Sequence, residues 1–162
     1  MRLVLFEPDI PQNAATLLRL AACMGLAVDV VEPCGFLFSD RHFRRAGLDY
    51  LDHARWTRHE NWAAYSAPSP PGRLIALSPA GEASHLEFAF QNSDRLMVGR
   101  ESSGLPPDIE AAAWARVRIP MRAGLRSLNV AIAAAMVLGE ALRQTGLYPD
   151  GNSPPERGQA PP

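Results

Sequence analysis

Short, largely apolar runs recur along this chain: residues 3–6, 74–77 and 96–98 are wholly apolar, and residues 28–31 and 117–119 are broken only by Asp29 and Arg118. Runs this short cannot make a stable helix, but they suit strands buried on both faces. Stretches with helical signals lie between them. Pro11-Gln12-Asn13 opens a helix that apolar spacing carries to about Met24, where Gly25 stops it. Residues 39–46 read as a basic helix capped by Ser39-Asp40, and residues 60–66 as a helical turn or two. Residues 106–115 read as a helix begun by prolines, and residues 127–145 as a long final helix. Residues 54–58 add a short strand. Strands alternating with helices predict an α/β fold, a single domain with a mostly parallel sheet flanked by helices. The domain is expected over residues 1–148. Residues 149–162 hold five of the fifteen prolines and almost nothing apolar, and are expected to form a disordered tail.

Composition narrows the class. With 47% hydrophobic and 20% charged residues, the chain is neither disordered nor collagenous. A net charge of −1 does not announce a nucleic-acid binder, but the distribution of charge is uneven. All sixteen basic residues are Arg. Residues 41–58 carry five Arg against two Asp, interleaved with His42, Phe43, Tyr50 and Trp56, and residues 111–139 carry four Arg and no acid. Such stretches fit either a solvated surface or a face that meets phosphates, since Arg favours bidentate phosphate contact and stacking. Cys23 and Cys34 read as reduced packing residues, and the four His lack zinc spacing, so no metal site is expected. The apolar run at the N-terminus is too short for a signal peptide, and nothing approaches a membrane span of about 20 apolar residues. A cytoplasmic setting is the expected default.

The final helix is unusual. From Leu128 to Leu142 only Asn129 and Glu140 are polar. A surface helix carries one apolar stripe, whereas one that is apolar all round is covered on all sides. Ala133, Ala134, Ala135 and Gly139 would allow close approach, so the pattern fits either a helix wrapped by its own domain or, as expected here, a homodimer.

Three predicted strands end in loops with special residues: residues 78–81, 99–106 and 120–127. In open α/β sheets, ligands bind outside the carboxyl ends of strands, and glycines let a ligand come close to backbone amides. Taken singly, each loop is equally an ordinary turn. No phosphate-binding GxxxxGK[ST], no GxGxxG after the first strand and no GxSxG elbow occurs. Asn13, near the start of the first helix, is either its cap or a functional amide. Arg19, the only charge between Asp9 and Asp29, either faces solvent or is aimed at an anion.

Three ordered motifs now stand together: Glu7-Pro8-Asp9-Ile10-Pro11-Gln12-Asn13 with Arg19; Gly99-Arg100-Glu101-Ser102-Ser103-Gly104-Leu105-Pro106; and Arg118-Ile119-Pro120-Met121 followed by Arg126-Ser127-Leu128-Asn129-Val130. They resemble the SPOUT-class RNA 2′-O-methyltransferases of the SpoU/TrmH superfamily. Glu32-Pro33-Cys34-Gly35-Phe36 and Arg44-Arg45-Ala46-Gly47-Leu48-Asp49-Tyr50 resemble the TrmL-like branch, whose members methylate the wobble nucleotide, cytidine or modified uridine at position 34, of certain tRNAs.

The resemblance implies a deep trefoil knot in the C-terminal half and S-adenosyl-L-methionine bound within it. By motif, Leu77, Gly99, Ile119 and Ser127 are the expected cofactor contacts, with Leu105, Met121 and Leu128 around the adenine. Arg19, Asn13 and Glu101 are the expected catalytic residues. Arg41, Arg44, Arg45, Arg122 and Arg126 are expected to meet RNA, the anticodon stem-loop of tRNA, with no metal required. The resemblance also implies a dimer through the first and last helices. The chain departs from the branch at Leu125, where Ser is usual, at Leu128, where Met is usual, and at Ser102-Ser103, which replaces Thr-Arg and removes a cation.

Overall fold

The structure is a computed structural model and describes residues 1–37, 50, 53–125 and 127–151. The expected basic helix at residues 39–46 lies outside the described residues, as does most of the expected tail. Seven strands form one sheet: β1 (Arg2–Phe6), β2 (Ala27–Val31), β3 (Arg55–His59), β4 (Leu74–Leu77), β5 (Ala83–Ser84), β6 (Arg95–Val98) and β7 (Ala115–Arg118). Their order is β3-β2-β1-β6-β4-β7-β5, and every pairing among them is parallel. Four helices complete the described fold: α1 (Pro11–Cys23), α2 (Trp62–Ser66), α3 (Pro107–Ala111) and α4 (Val130–Thr145).

The apolar runs become central strands because both faces of the sheet are covered. Side chains alternate across a strand, so each run feeds two cores. Leu3, Leu5, Val28, Val30, Ile75, Leu96 and Val98 pack on one side with α1 and α4. Val4, Phe6, Val31, Ala76 and Met97 pack on the other with Tyr65 of α2 and Ile109 of α3. Edge strand β3 is mostly exposed and correspondingly polar.

Two helices differ from expectation. The helix predicted over residues 106–115 ends at Ala111, because the Trp114 amide donates to the Leu74 carbonyl (2.8 Å) and draws the chain into the sheet. The last helix begins at Val130 rather than residue 127, because Asn129 caps it. Short β5 carried no sequence signal. Within a single chain, helix α4 leaves one face open. Ala131, Ala134, Val137, Leu138, Ala141 and Leu142 face the domain's own core, while Ile132 and Met136 are 56% and 44% exposed. Two of the small residues expected to admit a partner are used internally: Ala134 is buried, and the side Gly139 leaves open is taken by the Tyr148 hydroxyl.

One buried charge ties three strands. Asp29 of β2 accepts from Arg2 (2.7 and 2.8 Å) and contacts His59 Nε2 (2.9 Å). Burial alone would raise its pKa, but Arg2 and His59 outweigh burial and hold it below the usual carboxylate range. A lowered folded-state pKa gives stability that is present above the unfolded value, about 3.9, and lost as pH falls through the folded one. Asp29→Asn should therefore cost about 1–3 kcal/mol at pH 7. In urea unfolding that cost should shrink steadily below about pH 4; a cost independent of pH would exclude the carboxylate as its source.

Candidate active site

Sheet order brings the carboxyl ends of β1, β6, β4 and β7 side by side, and the loops that leave them enclose a cavity of about 680 Å³. It is lined by Leu77 and Ser78 after β4, residues 99–105 after β6, Ile119, Met121, Ser127, Leu128 and Asn129 after β7, and Asn13 of α1. All seven residues expected around a cofactor thus share one cavity, together with two of the three expected catalytic residues, Asn13 and Glu101. Arg19 is not among its lining residues. The Arg122 side chain is exposed on the third loop. Arg41, Arg44, Arg45 and Arg126 lie outside the described residues.

The backbone makes much of the wall. Arg100 and Gly104 exchange amide hydrogen bonds (3.1 and 2.8 Å), curling the second loop tightly. A Cβ on Gly99 would stand 2.4 Å from the Gly104 carbonyl carbon, and one on Gly81 would stand 2.5 Å from that of Val117. At both positions the chain's own backbone comes too close for any side chain, and Gly99 lines the cavity.

Polar side chains link the other wall. The Asn129 Oδ1 caps α4 by accepting from the amides of Ala131 (2.9 Å) and Ile132 (3.3 Å). Its Nδ2 donates to Asn13 Oδ1 (3.0 Å), and the Asn13 amide beside Glu101 favours the charged carboxylate. Asn13 is therefore not the cap of α1. Ile10 holds that place without a side-chain cap bond, while Asn13 faces inward. Glu101 accepts from the amides of Asp9 (2.9 Å) and Ile10 (3.3 Å). Burial, and then the neighbouring Asp9 carboxylate, push the Glu101 pKa up. Asp9 is held low by its bond with Glu101 and by Ser102 and the backbone amides, against a smaller effect of burial. Beside them Glu7 pairs with Arg100, and Glu7 adopts a left-handed backbone (φ 46°), an uncommon conformation for a side chain of this size.

Arg19 is exposed on α1, and its guanidinium lies 4.4 Å from the centre of the Tyr50 ring. Tyr50, one of the aromatics interleaved with Arg in the sequence, thus has one face against Arg19, a cation–π contact. Sequence reasoning also missed Glu110, whose carboxylate lines the cavity 3.7 Å from Arg116. Cys34 does read correctly as a packing thiol: burial, reinforced by Glu32, pushes it up to about 12, far from a reactive thiolate.

A deep cleft at the carboxyl edge of a parallel sheet, walled by glycine-bearing loops and a carboxyl–amide chain, defines an α/β enzyme that handles a small ligand. Residues 1–139 match the SpoU rRNA Methylase family, and the chain belongs to that family. A tRNA (cytidine(34)-2′-O)-methyltransferase of Beijerinckia indica is 53% identical over 146 residues, covering 89% of this chain and 91% of that protein. A solved structure described as giving insights into the 2-OH methylation of C/U34 on tRNA superposes with a TM-score of 0.84 at 42% identity, covering 88% of this chain and 94% of that one. The SpoU methyltransferase AviRb of Streptomyces viridochromogenes, in complex with the cofactor AdoMet, superposes at 0.79 with 25% identity, covering 89% of this chain and 60% of that one.

The two glycines of the second loop make different demands. Gly104 needs only its left-handed backbone (φ 72°) and has open space at Cβ, whereas Gly99 has none. In urea titrations Gly104→Ala should cost about 1 kcal/mol, and Gly99→Ala roughly 2–3 kcal/mol. Equal costs would contradict the close approach at Gly99.

Proposed function

We propose that this protein is an S-adenosyl-L-methionine-dependent tRNA 2′-O-methyltransferase acting on the ribose of the wobble nucleotide, cytidine or modified uridine 34. The reading rests above all on one observation: 53% identity across nine-tenths of the chain to a protein named for that reaction. The ordered Asn129–Asn13 amide pair, with Glu101 on the same cavity wall, supports it. The cavity fits the cofactor in kind, since its volume lies within the roughly 300–1,000 Å³ of small-molecule sites. The second loop, closed tightly on itself at Gly99, gives it a wall of backbone. Leu77, Gly99, Ile119 and Ser127 would hold the ligand, with Leu105, Met121 and Leu128 around its adenine. We further propose that the strand-ending loops are threaded as the trefoil knot of the SPOUT class.

When bound, the cofactor supplies a methyl group on a sulfonium. The chain's task is to align the ribose oxygen with that methyl, which can contribute several kcal/mol through orientation. Asn13, held by Asn129, positions the ribose from the first helix. Arg19 offers hydrogen-bond donors and no acceptor. Its role is therefore to bind the adjacent phosphate and stabilise the developing alkoxide. The exposed Arg122, with Arg41, Arg44, Arg45 and Arg126, is assigned to the RNA backbone of the anticodon stem-loop. A tRNA substrate agrees with the cytoplasmic setting expected from the sequence.

The enzyme is proposed to act as a homodimer through α1 and α4. The exposed Leu128, Ile132, Ala135 and Met136 lie on one side of the last helix and its lead-in, next to the cavity. Apolar groups grouped in this way favour a partner surface, and Ala135 permits close packing against a second copy.

Incubating the pure protein with tRNA and labelled methyl donor, then mapping nucleosides, should place 2′-O-methylation at position 34; a label at another nucleotide or on a base would refute the assignment. Arg19→Ala should leave cofactor binding by calorimetry nearly unchanged and lower turnover about 100- to 1,000-fold; normal turnover would remove Arg19 from catalysis. Met136→Glu should convert a dimer to a monomer in sedimentation velocity, and an unaltered dimer would exclude this face.

A further inference from the structure

Asp9 has no role in the reading so far and is not among the cavity's lining residues, yet it makes the densest set of bonds beside the site. Its carboxylate accepts from the amides of Glu101 (3.0 Å) and Ser102 (3.3 Å) and from the Ser102 hydroxyl. In return, Glu101 accepts from the amides of Asp9 (2.9 Å) and Ile10 (3.3 Å). Each carboxylate thus caps the backbone that carries the other, across 92 residues of sequence. Reciprocal bonds of this kind fix both the separation and the relative rotation of two irregular segments. A third segment backs the arrangement: Gly35 donates its amide to the Pro8 carbonyl (2.9 Å), and a Cβ there would lie 2.8 Å from the Asp9 Cα.

The two segments joined are the ones that must be aligned. Asp9 stands two residues before Pro11, where α1 begins, and α1 carries Asn13 and Arg19. Ser102 belongs to the loop that walls the cavity at Ser102, Ser103, Gly104 and Leu105. We propose that Asp9 is a positioning residue for methyl transfer, acting through Ser102 and Glu101 to hold α1 at a fixed offset from the cofactor loop. This inference rests on the methyltransferase reading above. In-line displacement tolerates little misalignment, and an error of about 1 Å far from the reacting atoms can cost roughly 100-fold. Loss of the clasp therefore acts on turnover more than on binding.

The test uses the full chain, with kcat and KM for tRNA measured at saturating S-adenosylmethionine and cofactor affinity measured by calorimetry, all well below the melting temperature of each variant. Asp9→Ala should bind the cofactor with full stoichiometry and a Kd within about threefold of the unaltered chain, while kcat falls about 10- to 100-fold. Ser102→Ala should lose several-fold in kcat, and Ser102→Thr, which keeps the hydroxyl, should restore it. Because Ser102 works through Asp9, the double variant should be no slower than Asp9→Ala alone. An unchanged kcat in Asp9→Ala overturns the inference, as does a loss accounted for by reduced cofactor stoichiometry. Ser102 is exposed, so Ser102→Ala decides the matter should the Asp9 variant not fold: an unchanged kcat there overturns it equally. If the unaltered chain methylates no tRNA, the functional reading fails and takes this inference with it; if the unaltered chain is active and the variants keep their kcat, only the inference fails.

Discussion

A parallel sheet buried on both faces is the constraint from which the rest of this structure follows. In a parallel sheet every strand ends at the same edge, so loops that follow neighbouring strands meet however far apart they lie in sequence. The order β1-β6-β4-β7 is therefore what brings residues 7–13, 99–106, 78–81 and 119–129 together. Register must also be held, because a slip would exchange the side chains offered to the two cores. Asp29 pins it. Its carboxylate sits in β2 between Arg2 of β1 and His59 of β3, and a slipped β2 would bury that charge without its partners.

The two walls of the cavity are built by different means. On one side the second loop closes tightly on itself at Gly99, so the wall is backbone held in place by its own close packing. On the other side it uses side chains whose hydrogen-bonding capacity is almost fully committed. Asn129 is the economical case: its oxygen caps α4 and its nitrogen holds Asn13, so the orientation of its amide is set from both ends. A group whose partners are already in place needs no reorganisation when a substrate arrives, and this is the condition for electrostatic help in a transition state.

The strands and most helices were legible in the sequence because they obey local rules: apolar runs of buried strands, proline at a helix start, glycine past its end. The loops were legible because glycine and the ordered motifs marked them. What sequence could not give were choices decided across the fold. Capping is a local rule and nominates Asn13, but Asn129, 116 residues away, claims its side chain instead. Nothing in the sequence around Tyr50 shows that its ring meets Arg19, 31 residues earlier. Gly139 looked like an opening for a partner until Tyr148 filled it. Asp9 lay inside a quoted motif, yet nothing in its neighbours along the chain signals two amides and a hydroxyl waiting at Glu101 and Ser102.

The last helix couples these levels. Its inner face, from Ala131 to Leu142, is core, and its first turn with the lead-in supplies Leu128, Asn129, Val130 and Ala133 to the cavity. Ile132 and Met136, on the same short length of helix, are the groups left exposed. One rigid element thus touches core, cavity and outer face within about two turns, or roughly 10 Å. Burying the outer face against a second copy would restrain the same backbone that lines the cavity, so in the proposed dimer pairing and cofactor binding are thermodynamically linked. Each then strengthens the other by the same free energy, because linkage between two binding events is reciprocal.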